Sequence, residues 1–215
     1  RDHYSYFFKA DHHWYPQTGL WAAGILADVL NKDFGYCIDK SVLDPSNFRE
    51  DVYKDWFLGS QGRKVTLARA SAEDISLLYP TFDVSLRIQA LDRALDTTGG
   101  FEITYDYTAM EPKDFYKKNP HAAYLWGGSA LVRLQNERAK EEKRVLMIGD
   151  SNENSLTPFL ALGLRYVDSM DLRYFTGSLE TFLDENQYDI IVIAYNPSSI
   201  QAVDYSVFSG SFDFR

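Results

Sequence analysis

The sequence predicts an α/β fold, with a parallel sheet flanked by helices and a β-rich insertion in the first half of the chain. From Glu141 onward, apolar strand-like runs alternate with helical segments, which predicts right-handed βαβ crossovers and a parallel sheet. Residues 36–118 instead carry clusters of β-forming residues between turn signals. At 215 residues with 45% hydrophobic composition, the chain can bury one sizeable core. We therefore predict a single domain over 1–215, with the insertion at 36–118.

In the first half, the segment QTGLWAAGILADVLNKDFG predicts a helix, because its apolar residues recur at helical spacing and Gly35 can end it. Within 36–118, the segments RKVTLARA, FDVSLRIQAL and GGFEITYDYTAM favour β structure, and TTGG at 97–100 favours a turn. The acidic segment SAEDISLLYP, around Ile75, is predicted to be a short helix.

The second half predicts three strands and two helices. The strands are KRVLMIGDS, RYVDSMD and YDIIVIAYN. SLTPFLALGL predicts a helix with Pro158 early and Gly163 near its end, and GSLETFLDENQ predicts a helix capped by Ser178. Ligands bind at the carboxyl ends of such parallel strands. Those ends carry Gly149-Asp150-Ser151, Asp171-Leu172-Arg173 and Tyr195-Asn196.

Composition restricts the partners of the protein. A net charge of -9 and a pI near 4.9 argue against a nucleic acid or an anionic membrane surface. The single cysteine, Cys37, excludes an internal disulfide. The chain contains 15 Tyr, 14 Phe and 4 Trp, which indicates either a well-packed β-containing core or a surface that faces carbohydrate.

The segment ADHHWYP leads into the first predicted helix and allows three interpretations. Asp11 and His13 stand two residues apart, so in an extended segment they point the same way and could orient and supply the base of a serine nucleophile. His12 would then point elsewhere, into packing, and Trp14 would pack the loop onto the helix. A zinc site is a second interpretation, although adjacent histidines diverge and only two other histidines exist. Hydrogen-bonded structural histidines are the third.

The serine candidate lies in GDS at 149–151. Ser151 follows a predicted buried strand, where a hydroxyl can be exposed and backbone N–H groups can stabilise an oxyanion. Gly-Asp-Ser is also common turn chemistry, so the tripeptide alone leaves both interpretations open.

Several motifs together resemble a known superfamily. GDS after a strand, Gly177 in FTGSLETFL and Asn196 in DIIVIAYN resemble the serine, glycine and asparagine blocks of the SGNH, or GDSL, hydrolases. An Asp-x-x-His block closes the usual members, whereas an Asp-x-His element opens this chain. That permuted order resembles the bacterial alginate O-acetyltransferases and, more closely, the DHHW protein family, whose name is spelled by residues 11–14. FLGSQGRKV, LWGGSALVRLQN, DSNENSLTPFLA and DLRYFTGS extend the resemblance over most of the chain.

The resemblance implies a three-layer SGNH-like fold and a serine-dependent acyl-transfer site. Ser151 would attack an ester carbonyl, His13 would act as general base and then general acid, and Asp11 would hold the tautomer of His13. It also implies oxyanion or substrate-binding roles at a second set of positions, namely Gly177, Asn196, Asn154, Arg173 and Tyr195. For Arg173 a salt bridge to Asp171 or Asp168 is an equal alternative, and Tyr195 could point inward.

The predicted function is an extracytoplasmic O-acyl (acetyl) transferase or esterase that acts on a cell-surface polysaccharide, with a membrane-bound protein as acyl donor. The resemblance implies no cofactor and no metal, and we expect any signal peptide or anchor to lie outside this chain. The alternative is a non-catalytic polysaccharide-binding module on the same scaffold, favoured by the aromatic content and by AYNPSS in place of Gly-x-Asn-Asp. Transfer and hydrolysis share an acyl-enzyme, so the sequence does not separate them.

Overall fold

The computed structural model describes residues 3–196, and the predicted domain 1–215 therefore includes positions outside the described residues. The helices are α1 (Pro16–Phe34), α2 (Ser60–Val65), α3 (Thr157–Gly163) and α4 (Leu179–Glu185). The strands are β1 (Phe48–Phe57), β2 (Glu73–Pro80), β3 (Leu86–Ala90), β4 (Leu95–Gly99), β5 (Leu131–Asn136), β6 (Glu141–Gly149), β7 (Leu164–Met170) and β8 (Ile190–Ala194). Short 3-10 turns occupy much of the chain between them.

A mixed six-stranded sheet in the order β4-β3-β5-β7-β6-β8 organises the fold. β6 pairs in parallel with β7 and with β8, whereas the β5–β7, β3–β5 and β3–β4 pairs are antiparallel. The predicted α/β class is confirmed, and the parallel pairing occurs where α3 and α4 supply crossovers. Strands β3 and β4 are joined by a short connection, which permits only antiparallel pairing.

Segment 36–118 contributes its strands to two sheets. β1 and β2 form a separate antiparallel pair, while β3 and β4 extend the main sheet through β5. SAEDISLLYP was predicted as a helix and is strand β2, because a continuous apolar run fits a buried strand as well as a helix. RKVTLARA begins instead within α2, and GGFEITYDYTAM forms 3-10 turns, one of them capped by the Asp106 carboxylate.

Helices cover both faces of the sheet, which makes three layers. Val145 and Met147 of β6 face a large core that includes α1 and α3. Leu146 and Ile148 alternate to the opposite face, where they pack with Leu179 of α4. Within residues 3–196, no helix combines the length and the hydrophobicity needed to cross a bilayer.

Helix α1 brings the N-terminal loop against the predicted serine loop. Gly35 ends the helix as predicted, with a φ of 66° and its neighbour's N–H bonded to the Leu30 carbonyl. Near its start, α1 passes so close to the serine loop that a methyl group on Gly19 would lie 2.2 Å from the Ser155 carbonyl oxygen. Glycine at position 19 therefore allows the two predicted halves of the site to approach.

Candidate active site

The serine loop begins where β6 ends at Gly149. The Asp150 carboxylate accepts hydrogen bonds from the backbone N–H of Asn152 at 3.0 Å and of Asn196 at 2.9 Å. Asp150 thereby fastens the turn that carries Ser151 to the carboxyl end of β8. A Cβ atom on Gly149 would lie 2.5 Å from the carbonyl oxygen of Ala194, its partner in the parallel β6–β8 pair, so this close approach requires glycine.

The loop that carries Asp11 is held by the start of α2. The Ala10 carbonyl accepts hydrogen bonds from two backbone N–H groups of α2, those of Gln61 and Gly62, at 3.0 and 3.1 Å. Gly59 has a φ of 71° and lies so close to Ala10 that any side chain would overlap its carbonyl. The Ser60 N–H donates to Asp11 Oδ2. Free N–H groups at a helix start are a natural partner for a carboxylate, and this role of FLGSQG was missed in the sequence.

The structure brings Asp11, His13 and Ser151 together across 138 residues of sequence. Asp11 Oδ1 accepts a 3.0 Å hydrogen bond from the His13 backbone N–H and also binds His13 Nδ1. On the other side of the ring, His13 Nε2 lies 2.7 Å from Ser151 Oγ. With Asp11 ionised, Nδ1 carries the proton and Nε2 is left to accept the serine hydroxyl, which is the tautomer that general-base catalysis requires.

The environment keeps Asp11 ionised. Burial would by itself raise the pKa of this carboxyl, since only 2% of the side chain is exposed. The hydrogen bond and electrostatic attraction of His13, together with the Ser60 N–H, outweigh burial and hold the pKa well below its ordinary value. The carboxylate is therefore available to orient His13 over the whole physiological pH range.

Asp11, His12 and His13 also place potential metal-ligand atoms within 4.8 Å of one another. Their lone pairs and protons are nevertheless engaged in hydrogen bonds. Asp11 binds Ser60 and His13, and His13 Nε2 faces Ser151. A metal would have to break these contacts, so the arrangement favours a proton relay over a metal centre.

The structure adds to the predicted role of Trp14 and contradicts that of His12, the two neighbours of His13. Trp14 packs against the core as expected, but its Nε1 also donates to the Asn152 carbonyl at 2.8 Å and approaches Ser155 Oγ. Trp14 thus fastens the His13 loop to the serine loop. His12 was expected to enter packing and instead has 46% of its side chain exposed, with Nδ1 3.3 Å from Ser60 Oγ.

The remaining predicted residues lie around this centre with different contacts. Asn196 meets the serine loop through its backbone N–H, which binds Asp150, and Tyr195 points inward to the α4-side cluster. Asn154 is buried in the serine loop, near Gly128. Gly177 is exposed, with Phe175 beside it, and among residues 3–196 it has no hydrogen bond to Asp11, His13 or Ser151.

Arg173 forms the salt bridge that was the alternative to a substrate-binding role. Its guanidinium donates to both carboxylate oxygens of Asp171, with Nε at 2.9 and 3.1 Å, and both side chains are largely buried. The pair lies at the carboxyl end of β7, beside the exposed ring of Tyr174. The guanidinium is therefore already engaged by a carboxylate in this state of the protein.

Two buried groups near the centre were not predicted. His121 is 2% exposed and its ring stacks on that of His13. Glu153 is also 2% exposed, and its Oε2 accepts a 2.8 Å hydrogen bond from Ser169 Oγ. Burial, with Asp171 and Asp150 nearby, raises the pKa of Glu153 to about 8. Neither residue stands in a local pattern that distinguishes it from a surface residue.

The raised pKa of Glu153 predicts a stability that falls as pH rises. The folded state holds the proton more tightly than the unfolded state, so unfolding becomes easier between pH 4.5 and about 8. The loss is on the order of 5 kcal/mol over that interval. Thermal melting at pH 5 and pH 8 should show most of this loss in the wild type and a smaller one in Glu153→Gln. Parallel pH dependence of the two proteins would contradict the assignment.

No protein-family model matches the chain, and no functionally curated protein matches it by sequence. Several solved structures do match the fold of the chain. Bacillus cereus PatB1 with a sulfonyl adduct superposes with a TM-score of 0.71 at 16% identity, over 96% of this chain and 64% of that one. The structure of PatB1 without the adduct superposes with a TM-score of 0.70 at 17% identity, over 91% of this chain and 64% of that one.

A DHHW family protein from Eubacterium siraeum also superposes, with a TM-score of 0.62 at 14% identity, over 89% of this chain and 59% of that one. The chain thus spans about three fifths of the length of the structures it matches. At these identities the likeness concerns the fold. The chain accordingly has the α/β fold of PatB1 and of this DHHW family protein.

Proposed function

We propose that this protein is a serine-dependent O-acyltransferase or esterase, with Ser151 as nucleophile, His13 as general base and Asp11 as the group that orients His13. The observation that carries the proposal is the continuous hydrogen-bonded chain from Asp11 through His13 to Ser151, with 2.7 Å between His13 Nε2 and Ser151 Oγ. That distance lies within the range at which a base takes the proton of a nucleophile.

In the first half of the reaction, Ser151 Oγ attacks the ester carbonyl while its proton passes to His13 Nε2. The tetrahedral intermediate then expels the alcohol part of the ester, which takes the proton back from His13, and the acyl group stays on Ser151. In the second half, a sugar hydroxyl or water gives its proton to His13 and attacks the acyl carbonyl. The product ester or the free acid leaves, and Ser151 recovers its proton from His13.

The oxyanion of the tetrahedral intermediate needs hydrogen-bond donors close to Ser151. We assign this role to the Ser151 backbone N–H and the Asn154 side-chain amide, which belong to the same loop. Asn196 and Gly177 lie outside this loop: the backbone N–H of Asn196 binds Asp150, and Gly177 is exposed. Loss of one donor of this kind typically lowers the rate by about 10²-fold.

The proposed substrate is a cell-surface polysaccharide, outside the cytoplasm. As a transferase, the protein would pass acyl groups to it from a membrane-bound donor protein; as an esterase, it would remove O-acyl groups from it. The resemblance to the O-acetyltransferases motivates this choice. Tyr174, 53% exposed, lies beside Gly128 and Arg173 and offers a ring face on which a sugar could stack. PatB1, which has the same fold, is known with a sulfonyl adduct, and sulfonyl reagents react with activated nucleophiles.

A covalent probe tests the proposal directly. We expect a fluorophosphonate to label the wild-type protein at Ser151, found by peptide mapping, and acetyl-ester turnover to stop in proportion to labelling. Ser60→Ala is the matched control, because the Ser60 hydroxyl also lies beside a histidine, His12, and its backbone N–H is retained. A folded protein that retains glycan but takes no label would instead be the binding module.

A further inference from the structure

The ring of His13 has an aromatic neighbour on each face. On the buried side, the His121 ring is stacked at 3.7 Å between centroids and 19° between planes. On the solvent side, the His12 ring lies at 3.9 Å and 36°. The imidazole that joins Asp11 to Ser151 is thus held in its plane from both sides, and the better-aligned contact is the buried one.

His121 is itself fixed by the fold. It lies in the turn Pro120–Ala123, and its ring meets the Tyr124 ring edge-on at 5.0 Å and 74°. Tyr124 is 2% exposed and donates a 2.6 Å hydrogen bond to the Ser76 carbonyl in β2. A chain of buried contacts therefore anchors the His121 ring to the small β1–β2 sheet, independently of the loop that carries His13.

The His121 ring stays uncharged beside His13. Burial, and next the proximity of His13, hold the pKa of His121 well below its ordinary value. The rings that contact it are those of Tyr124 and His13. Of the titratable groups that act on it electrostatically, His13 and His12 oppose a charge on His121 and only Asp11 favours one. Within residues 3–196, the buried Nε2 of His121 has no hydrogen-bond partner. The ring thus contributes a flat, neutral surface to the site.

We propose that His121 is a positioning residue for His13: its neutral ring holds the His13 imidazole in the plane that connects Asp11 to Ser151, and its face stabilises the imidazolium that forms when His13 takes the serine proton. The inference rests on the proposed function. A cation is attracted to an aromatic face, while a second cation at this site would repel it. A displacement of a catalytic group by about 1 Å can lower the rate on the order of 10²-fold.

Two substitutions separate the stacked surface from the ring nitrogens. His121→Phe retains a flat aromatic face, and we expect kcat within about threefold of the wild type with an unchanged pH–rate profile. His121→Leu removes the face, and we expect kcat to fall about 10- to 100-fold with KM nearly constant, and the acid limb of the profile to move. A pure packing role would not move the acid limb. Thermal melting confirms that both variants are folded.

A spectroscopic readout makes the test independent of catalysis. The Nδ1–H proton of His13, bonded to Asp11, should give a strongly low-field NMR signal in the wild type and in His121→Phe, and a broadened or lost signal in His121→Leu. If that pattern is found without turnover that depends on Ser151, the positioning role stands and the proposed function fails. If His121→Leu keeps the signal, kcat and pH profile of an active wild type, the positioning role is overturned. A tenfold loss of kcat in His121→Phe overturns it as well.

Discussion

Replacement of Ser151 by alanine is expected to lower kcat for acetyl-ester turnover by about 10⁶-fold, and replacement of His13 by alanine to lower it nearly as far. The two side chains share one proton-transfer step through the 2.7 Å contact between Nε2 and Oγ. Without the nucleophile the base has nothing to activate, and without the base the hydroxyl stays a poor nucleophile. The double variant should therefore be no slower than Ser151→Ala alone.

The non-additivity is the diagnostic result, and it is measured by comparing single and double variants under saturating substrate. His12→Ala is the control for His13→Ala, because His12 packs against the His13 ring and reaches Ser60 but, within residues 3–196, makes no hydrogen bond to Ser151. It should retain activity within about tenfold. Losses that multiply in the double variant, or a His12→Ala loss equal to that of His13→Ala, would assign the chemistry to other groups.

The half of the fold that the sequence predicted well is the half in which local signals agree with tertiary contacts. Strand β6 is a continuous apolar run, α4 starts at a serine cap that accepts the Thr181 N–H, and α1 stops at a glycine with positive φ. The secondary structure of segment 36–118 is harder to predict, because the apolar run ISLL in β2 is compatible with a helix or a strand. The strands of this segment also pair with strands that are distant in sequence, as β3 does with β5, and local sequence does not predict such pairing.

The candidate site divides in the same way. Asp11 and His13 could be paired from their spacing of two, and Ser151 from its place after a strand. The roles of Ser60 and His121 could not be predicted in this way. Ser60 lies 49 residues from Asp11 and His121 lies 108 residues from His13, so only the tertiary fold brings each pair together. The asparagine block shows a further limit. A motif names Asn196 but does not say that its backbone N–H binds the serine loop.

Asp11→Asn is expected to lower kcat by about 10⁴-fold while leaving the fold intact. Asp11 accepts three hydrogen bonds, from the Ser60 N–H, the His13 N–H and His13 Nδ1. The Ser60 N–H binds Oδ2, whereas both His13 groups bind Oδ1, so the single oxygen of an asparagine can serve only one of these two sides. If it keeps the Ser60 N–H, its NH₂ group faces His13 Nδ1. Nδ1 must then accept, so the proton moves to Nε2, where it faces Ser151 and prevents His13 from acting as base.

The change in tautomer distinguishes this effect from a loss of stability. Asp11→Asn should lower the melting temperature by only a few degrees, because one of the two backbone hydrogen bonds to this side chain is kept. It should regain part of its rate at high pH, where the serine hydroxyl needs less help from a base. Ser60→Ala, which retains the N–H that supports Asp11, is the matched control and should stay near wild-type activity. A loss below tenfold for Asp11→Asn would mean that His13 is oriented mainly by its stacked neighbours, because the carboxylate would then add little to what the His121 ring already provides.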